Sequence, residues 1–484
     1  MQTQRVKRND NIISFFCTAL SVWLLAVAAF FAAREGLSAT LEGFLAILFS
    51  PAQLITDYFR LGGVGATFLN AGLCGLACSL LIWINPTPAR SRVLTGYFLV
   101  IAHCFYGLNL LNMWPCFFGV VIYCLVRKKK LGENLHSAMF ATALAPFVSE
   151  FLFRYPHADS YVAGEVTWSV SGIVLALLGS LLFGFFVPAL VPGTAKMYRG
   201  FNLYKAGLAI GLFGFFIHSF FFRTLGVDTP SVPPLGNAVY EEESYLGLYT
   251  AFFSSLFVVC ILVGLLLSRG RLGNYREILR SSGHEVDFGE KFGMEICLVN
   301  VGLVGLMMML YFGGVTLFTG DVVFTGPTFG ILFAAIAHTS AGQHPRNVYP
   351  ILIGYVLLWA LTCGICAIAG LPVPWTPATQ SYMNAVAFAI GLCPFTGKYG
   401  VKIGILAGAF SAVICTSTAA LHGGFMLYNG GFTAGLTAML LLPILDFFKV
   451  KELPCPENKG AHGTGLRFHT TQIHHDHNAK GETK

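Results

Sequence analysis

The sequence predicts an all-α polytopic membrane protein with duplicated halves, and three observations carry that expectation. Apolar runs recur along the chain, at 11–33, 245–268 and 292–319 among others, and each is long enough to cross about 30 Å of hydrocarbon as a helix. Only 11% of the 484 residues are charged while 55% are hydrophobic, whereas a soluble protein carries about a quarter charged residues. A glycine-rich motif near the C-terminus also occurs earlier in the chain. A β-barrel would instead show alternating segments of about ten residues.

The first run follows Arg5, Lys7 and Arg8. Its apolar part exceeds the roughly 7–15 residues of a signal-peptide core, so it reads as a retained helix. Segment 38–60 is interrupted by Pro51 and ends polar, so it is expected to lie in the interface or re-enter. Helices are then expected at 62–84, 93–108, 110–126, 134–153, 162–190, 200–222, 245–268, 292–318, 322–341, 347–370, 379–394, 403–420 and 428–448. With the first helix this makes about 14 crossings. Basic clusters lie between them: "PARSR" (88–92), "RKKK" (127–130), "RGRLGNYREILR" (269–280) and "KVK" (449–451). Such clusters mark cytoplasmic loops, so the net charge of +7 points to topology, not to nucleic acid. Both termini are expected in the cytoplasm, and the protein in the bacterial cytoplasmic membrane.

The expected organisation is an N-terminal helix and interfacial segment (1–60), a first membrane repeat (61–222), a connecting region (223–291), a second repeat (292–451) and a polar His-rich tail (452–484). The tail reads as disordered. Cys363 and Cys366 form a CxxC inside an apolar run, where cysteine is usually a packing residue.

The repeat is visible directly. "AKMYRGFNLYKAGLAIGL" (195–212) aligns without gaps to "AALHGGFMLYNGGFTAGL" (419–436), sharing Gly200/Gly424, Phe201/Phe425, Leu203/Leu427, Tyr204/Tyr428, Gly207/Gly431 and Gly211/Gly435 among others. "LAPF" (144–147) echoes "LCPF" (392–395), "TGY" (95–97) echoes "IGY" (353–355), and "FLNAGL" (68–73) echoes "FTGPTF" (324–329). The first copy of the motif begins beside Lys196 and Arg199 on the cytoplasmic side, and the second begins outside. That implies inverted repeats with broken or re-entrant helices, as in many transporter folds. The two "GY" helices, which come out with the same orientation, disagree with this.

No HExxH, GxSxG or Walker A motif is present, so no cofactor or metal is expected and no ATP site is visible. The remaining signal is polar residues at membrane depth: Asp57, His103, Glu150, Glu165, His218, Glu295, Asp321, His338 and His422. Glycines beside Asn and Tyr weaken a helix and free backbone groups that must line a cavity or find partners. The i, i+4 glycine pairs also suit close helix packing. "TGPTFG" (325–330) is a second expected break, at Pro327.

"LCPFTGKYGVKIGILAGAFSAV" (392–413), "LHGGFMLYNGGFTAGLTAMLLLPILD" (421–446), "LITDYFRLGGVGATFLNAGL" (54–73) and "GLNLLNMWPCFFGVVIYCLVRKK" (107–129) resemble the bacterial membrane-protein family of domain of unknown function 1576. That resemblance implies a membrane fold and no particular activity. "LYNGGFTAG" is also similar in texture to the helix break of urea transporters. The functional expectation is a secondary transporter or channel for a small polar solute in the lipid bilayer, alone or as a homo-oligomer. Its substrate-binding residues would be Asn202, Tyr204, His422, Tyr428 and Asn429, followed by Asn70 and Thr325. The alternatives are an integral-membrane enzyme acting on a lipid-like substrate, with Asp57, Glu150, His103 and His338 as acid–base groups, or a non-catalytic membrane subunit.

Overall fold

The computed structural model describes residues 2–54, 56–85, 90–162, 164–230, 245–319 and 324–454. The acidic stretch at Glu241–Glu243, Asp321 and the tail from 455 onward lie outside the described residues. Among the described residues, twenty α-helices follow in order. They are α1 (Gln2–Glu35), α2 (Leu37–Leu48), α3 (Tyr58–Ile84), α4 (Arg90–His103), α5 (Met113–Val126), α6 (Leu131–Ala141), α7 (Ala145–Phe153), α8 (Val170–Val174), α9 (Ser180–Met197) and α10 (Lys205–His218). They continue as α11 (Leu246–Leu267), α12 (Gly273–Ile278), α13 (Phe288–Phe292), α14 (Met294–Thr319), α15 (Gly326–Ala335), α16 (Pro345–Ala369), α17 (Gln380–Ala389), α18 (Cys393–Tyr399), α19 (Val401–Leu421) and α20 (Asn429–Phe447). Among the described residues there is no β-strand, only an isolated bridge between Asp57 and Tyr106.

Ten helical segments are long and apolar enough to cross a membrane among the described residues, fewer than the crossings expected from apolar runs alone. The difference lies where a run is divided. The 93–108 and 110–126 runs become the short helices α4 and α5, the 322–341 run becomes α15 followed by turns, and the 379–394 run is divided into α17, a 3-10 turn and the start of α18. Segment 38–60 forms α2 and an irregular stretch before α3.

The outer surface is that of a protein solvated by lipid. Leu317, Phe318 and Ile368 are each more than four-fifths exposed, and many further Leu, Val and Phe side chains on α9, α11, α14 and α16 face outward. Apolar exposure on this scale is incompatible with a water-facing monomer and natural in a bilayer. The protein is a multi-pass membrane protein.

Glycines set the helix contacts and the kinks. Gly63 interrupts α3 at φ 84°, and Gly293 separates α13 from α14 at φ 103°. α1 packs Leu25 and Ser21 onto Gly72 and Gly75 of α3, while α11 packs Ile261 and Phe257 onto Gly302 and Gly305 of α14. The glycine face expected at 207/211 and 431/435 is a helix crossing. A Cβ on Gly207 would sit 2.7 Å from the Gly431 Cα, one on Gly211 2.7 Å from the Phe432 Cβ, and one on Gly435 2.7 Å from the Leu208 Cβ. Small residues let the α10 and α20 backbones touch there.

Candidate functional site: a buried histidine–tyrosine cluster between helix breaks

Four breaks converge on the centre of the protein. The first ends α4 at His103. Gly107 turns the chain at φ 79°, and two asparagines replace the missing helical hydrogen bonds. The Asn112 Oδ1 accepts from the Asn109 N–H at 2.8 Å, and its Nδ2 donates to the Gly107 carbonyl at 3.0 Å. After α15 the same device recurs: Gly342 is at φ 135°, and Asn347 accepts from the His344 N–H at 2.9 Å while donating to the Gly342 carbonyl at 2.9 Å. Irregular backbone at membrane depth persists only when such partners are supplied.

Each of these breaks is braced by an asparagine on the preceding long helix. The Asn70 Nδ2 donates to the Cys104 and Leu108 carbonyls, both at 3.0 Å, and the Asn300 Nδ2 donates to the Thr339 and Gln343 carbonyls, both at 2.7 Å. The contact pattern therefore matches Asn70 with Asn300 and His103 with His338. This replaces two registers expected from sequence. "FLNAGL" contacts its break as "LVNVGL" (298–303) does, not as "FTGPTF" does. "TGY" (95–97) lies in α4, whereas "IGY" (353–355) lies in α16 beyond the break. The stronger echo is "FLVIAHCFYGLNLLNMWP" (98–115) against "FAAIAHTSAGQHPRNVYP" (333–350), which shares Phe98/Phe333, Ile101/Ile336, Ala102/Ala337, His103/His338, Gly107/Gly342, Asn112/Asn347 and Pro115/Pro350.

The other two breaks are the repeated glycine motif itself. Arg199 and Gly200 (φ 48° and 79°) turn the chain after α9, and Gly423 and Gly424 (φ 59° and 76°) turn it after α19. The extended peptide that follows is captured by the opposite half of the chain. The Leu203 N–H donates to the Gly391 carbonyl at 3.0 Å, and the Leu427 N–H donates to the Ala143 carbonyl at 2.9 Å. Both acceptors lie at 3-10 turns, Ile390–Leu392 and Thr142–Leu144, that interrupt the α17–α18 and α6–α7 helices.

This exchange delivers one tyrosine to each histidine. The Tyr204 ring lies 4.2 Å from the His338 ring, and the Tyr428 ring lies 5.0 Å from the His103 ring. Phe388 joins the pairs, 4.8 Å from Tyr204 and 6.5 Å from Tyr428. Tyr106 lies 5.2 Å from His103, and Phe140 lies 6.1 Å from Tyr428. All of these side chains are buried. Yet the Tyr428 hydroxyl has no hydrogen-bond partner inside the protein, and the polar side chains around the pairs are held only by long contacts: Tyr106 with Asn384, the Gln343 amide with Tyr204, and the His103 ring with the Leu99 and Leu427 carbonyls. Buried polar atoms are normally satisfied, so this concentration is the site's main chemical signal.

The expected site residues divide among three places. Tyr204 and Tyr428 are in the cluster, and the Tyr204 hydroxyl donates to the Ala334 carbonyl at 2.6 Å. Asn202 braces the crossing, donating to the Gly431 carbonyl at 3.2 Å and accepting from the Tyr204 N–H at 3.0 Å. His422 and Asn429 pair with each other. The Met426 N–H donates to His422 Nδ1 at 3.3 Å, so Nε2 carries the proton and donates to Asn429 Oδ1 at 3.0 Å. Asn70 is committed to its break, and Thr325 starts α15, its N–H 3.4 Å from the Thr328 Oγ1. His103, Tyr106, Asn384 and Phe388 were not among the expected binding residues. The "IAH" echo was the signal for the first.

The acidic candidates are held elsewhere. Glu150 accepts from the Arg154 Nε at 2.6 Å, and Arg154 also donates to the Asp228 carbonyl at 2.8 Å. Glu165 is exposed. Asp57 caps α3, accepting from the Phe59 N–H at 2.9 Å and from the Gly326 N–H at 3.1 Å. Asp287 does the same for α13, accepting from the Glu290 N–H at 2.8 Å and the Ser91 hydroxyl at 2.6 Å. Among the described residues, no group of three or more His, Cys, Asp or Glu could hold a metal ion.

A family model described as a protein of unknown function (DUF1576) matches residues 37–223 and 267–447. The chain belongs to the DUF1576 family. No curated protein and no solved structure matches it. The two segments matched to DUF1576 hold His103 with Tyr204 and His338 with Tyr428, so both tyrosine–histidine contacts join one DUF1576 segment to the other.

Proposed function

We propose that this DUF1576 protein is a secondary transporter or channel for a small polar solute, built as two inverted repeats that meet at the histidine–tyrosine cluster. The observation that carries the reading is the exchange of tyrosines between halves around buried histidine and amide side chains. Polar side chains at membrane depth are costly and mark solute pathways, and repeat interfaces of broken helices are where transporters bind.

Helix-end contacts support the inversion. Past the Gly63 kink, residues 64–84 of α3 form about 30 Å of helix, so its ends reach opposite faces of the hydrocarbon core. It begins at Asp57, bonded to the start of α15, and α4 begins shortly after it ends. The start of α4 is bonded to Asp287, just before α14. α14 therefore starts where α3 finishes, and α4 and α15 start from opposite faces. The matched packing of α1 on α3 and α11 on α14 extends each repeat beyond 61–222 and 292–451 to include those helices. The basic loops favour cytoplasmic termini in a bacterial inner membrane.

The test is uptake of a solute panel by proteoliposomes containing the full chain. A Tyr204→Phe/Tyr428→Phe variant that folds should lose at least about tenfold in flux. Undiminished flux in that variant removes the cluster from the pathway.

A further inference from the structure

We infer that a phospholipid with a net negative headgroup binds between α1 and α11, with an acyl chain in the groove those helices leave and its phosphate beside Arg269 and Arg271. The site lies apart from the histidine–tyrosine cluster, and the inference does not rest on the transport reading. α1 packs on α3 and α11 on α14. Between α1 and α11 lies a cavity of about 680 Å³, within the range that holds a small-molecule ligand. Leu20, Leu256, Cys260 and Leu298 form its buried floor, and Phe15 and Val259 form an exposed rim. Among the described residues lining it, only Asn11 is hydrophilic, so a hydrocarbon chain suits the groove and a polar solute does not.

The length of the groove selects the occupant. It follows α1 from Asn11 to Trp23, about 18 Å of helix, and ends where the Trp23 ring meets the Phe252 ring at 5.8 Å. That is a little over half of the roughly 30 Å hydrocarbon core, the depth of one leaflet. A helix from a second copy would run on past that contact.

Charge complementarity supplies the headgroup end. The mouth of the groove is fixed at the start of α14. Asn9 holds α1 there, its Nδ2 donating to the Gly289 carbonyl at 3.0 Å and its Oδ1 accepting from the Met294 N–H at 3.3 Å. The end of α11 lies against the same turn, since a Cβ on Gly264 would stand 2.7 Å from the Glu295 carbonyl oxygen. Just beyond Leu267, which lines the groove, Arg269 and Gly270 turn the chain at φ 54° and 68°. The Asn274 Nδ2 then donates to the Phe292 carbonyl at 2.9 Å, which fastens the basic loop beside the mouth. Arg269 and Arg271 are exposed and form no ion pair with a described residue, whereas Arg280 is paired with Glu277 at 3.0 Å. Asp10, the acidic residue next to Asn11, is already engaged with another group. Guanidinium groups match phosphate oxygens in bidentate geometry, and basic side chains at the membrane surface favour anionic lipid.

Native mass spectrometry of the full-length protein in detergent tests this, with equimolar phosphatidylglycerol and phosphatidylcholine of identical chains. The wild type should retain phosphatidylglycerol about tenfold over phosphatidylcholine. Arg269→Gln/Arg271→Gln should bring the ratio close to one, and Arg269→Lys/Arg271→Lys should keep a preference. Ala19→Trp, which fills the groove from its lining, should remove both lipids, while Val413→Trp on the exposed face of α19 should change neither. Equal retention of the two lipids by the wild type overturns the assignment. So does a preference that survives unchanged in the Gln variant, whose substitutions are confined to an exposed loop. Undiminished lipid retention by Ala19→Trp also overturns it. A lipid-free dimer that Ala19→Trp dissociates gives the groove to a second copy and overturns it as well.

Discussion

Asn70 provides the most direct test of how the helix breaks are held. Its side chain is fully buried and makes three hydrogen bonds to backbone: to the Cys104 and Leu108 carbonyls at 3.0 Å, and from the Leu110 N–H at 3.1 Å. Asn70→Ala removes all three and leaves those backbone groups without a partner inside the protein. Side-chain hydrogen bonds in membrane bundles average about 0.6 kcal/mol, and those in soluble proteins about 1 kcal/mol. Three of them give an expected destabilisation of about 2–3 kcal/mol. Asn300 donates two bonds of this kind, at 2.7 Å each, so Asn300→Ala should cost about two thirds as much. The two sites share no partner, so the double variant should be additive within about 0.5 kcal/mol. Unfolding in mixed micelles titrated with sodium dodecyl sulfate, followed by tryptophan fluorescence, measures these differences. A loss under about 0.5 kcal/mol for Asn70→Ala would refute the argument that asparagine amides hold the breaks in place of a helical ladder.

Three further outcomes are expected. Gly207→Val forces a branched side chain into the Gly431 backbone and should cost at least about 1–3 kcal/mol, whereas Gly193→Ala, with open space at its Cβ, should be stabilising by about 0.5–1 kcal/mol as a helix-interior replacement; the same micelle titration compares them. Glu150→Ala leaves the Arg154 guanidinium buried and short of its counter-charge, costing about 3–5 kcal/mol, while replacing both by Leu and Met should restore most of that; thermal aggregation in detergent separates the two variants. Asp57→Ala and Asp287→Ala each remove a helix cap that also holds the start of a helix in the other half, and each should lower stability by about 1 kcal/mol, with faster amide exchange at Gly326 in the first.

Much of the fold was legible because lipid imposes a simple rule on composition. A span must be apolar over about 20 residues, so the long helices α1, α11, α14, α16 and α20 stand out in the sequence. The rule fails where a helix is divided. α4 with α5, and α15 with its turns, read as full crossings because their residues remain apolar while Gly107, Asn112, Gly342 and Asn347 redirect the backbone. The glycine motif was legible as a repeat because close backbone contact tolerates few alternatives at Gly207 and Gly431. The histidine repeat was harder to see, since its identities are spaced across a break and the residues between them differ.

The sequence by itself determined the membrane class, the positions of the long helices, the family and the existence of a motif present twice. Those follow from local composition and from residues whose identity is demanded by a neighbour close in the chain. Only the tertiary structure decided what the motif contacts. Tyr204 meets His338, and Tyr428 meets His103, across separations in sequence that no local pattern encodes. The same structure settled that His422 and Asn429 satisfy each other while the Tyr428 hydroxyl does not find a partner. Hydrogen-bond satisfaction is a property of which side chains end up adjacent, so it became readable only once the two halves were packed together.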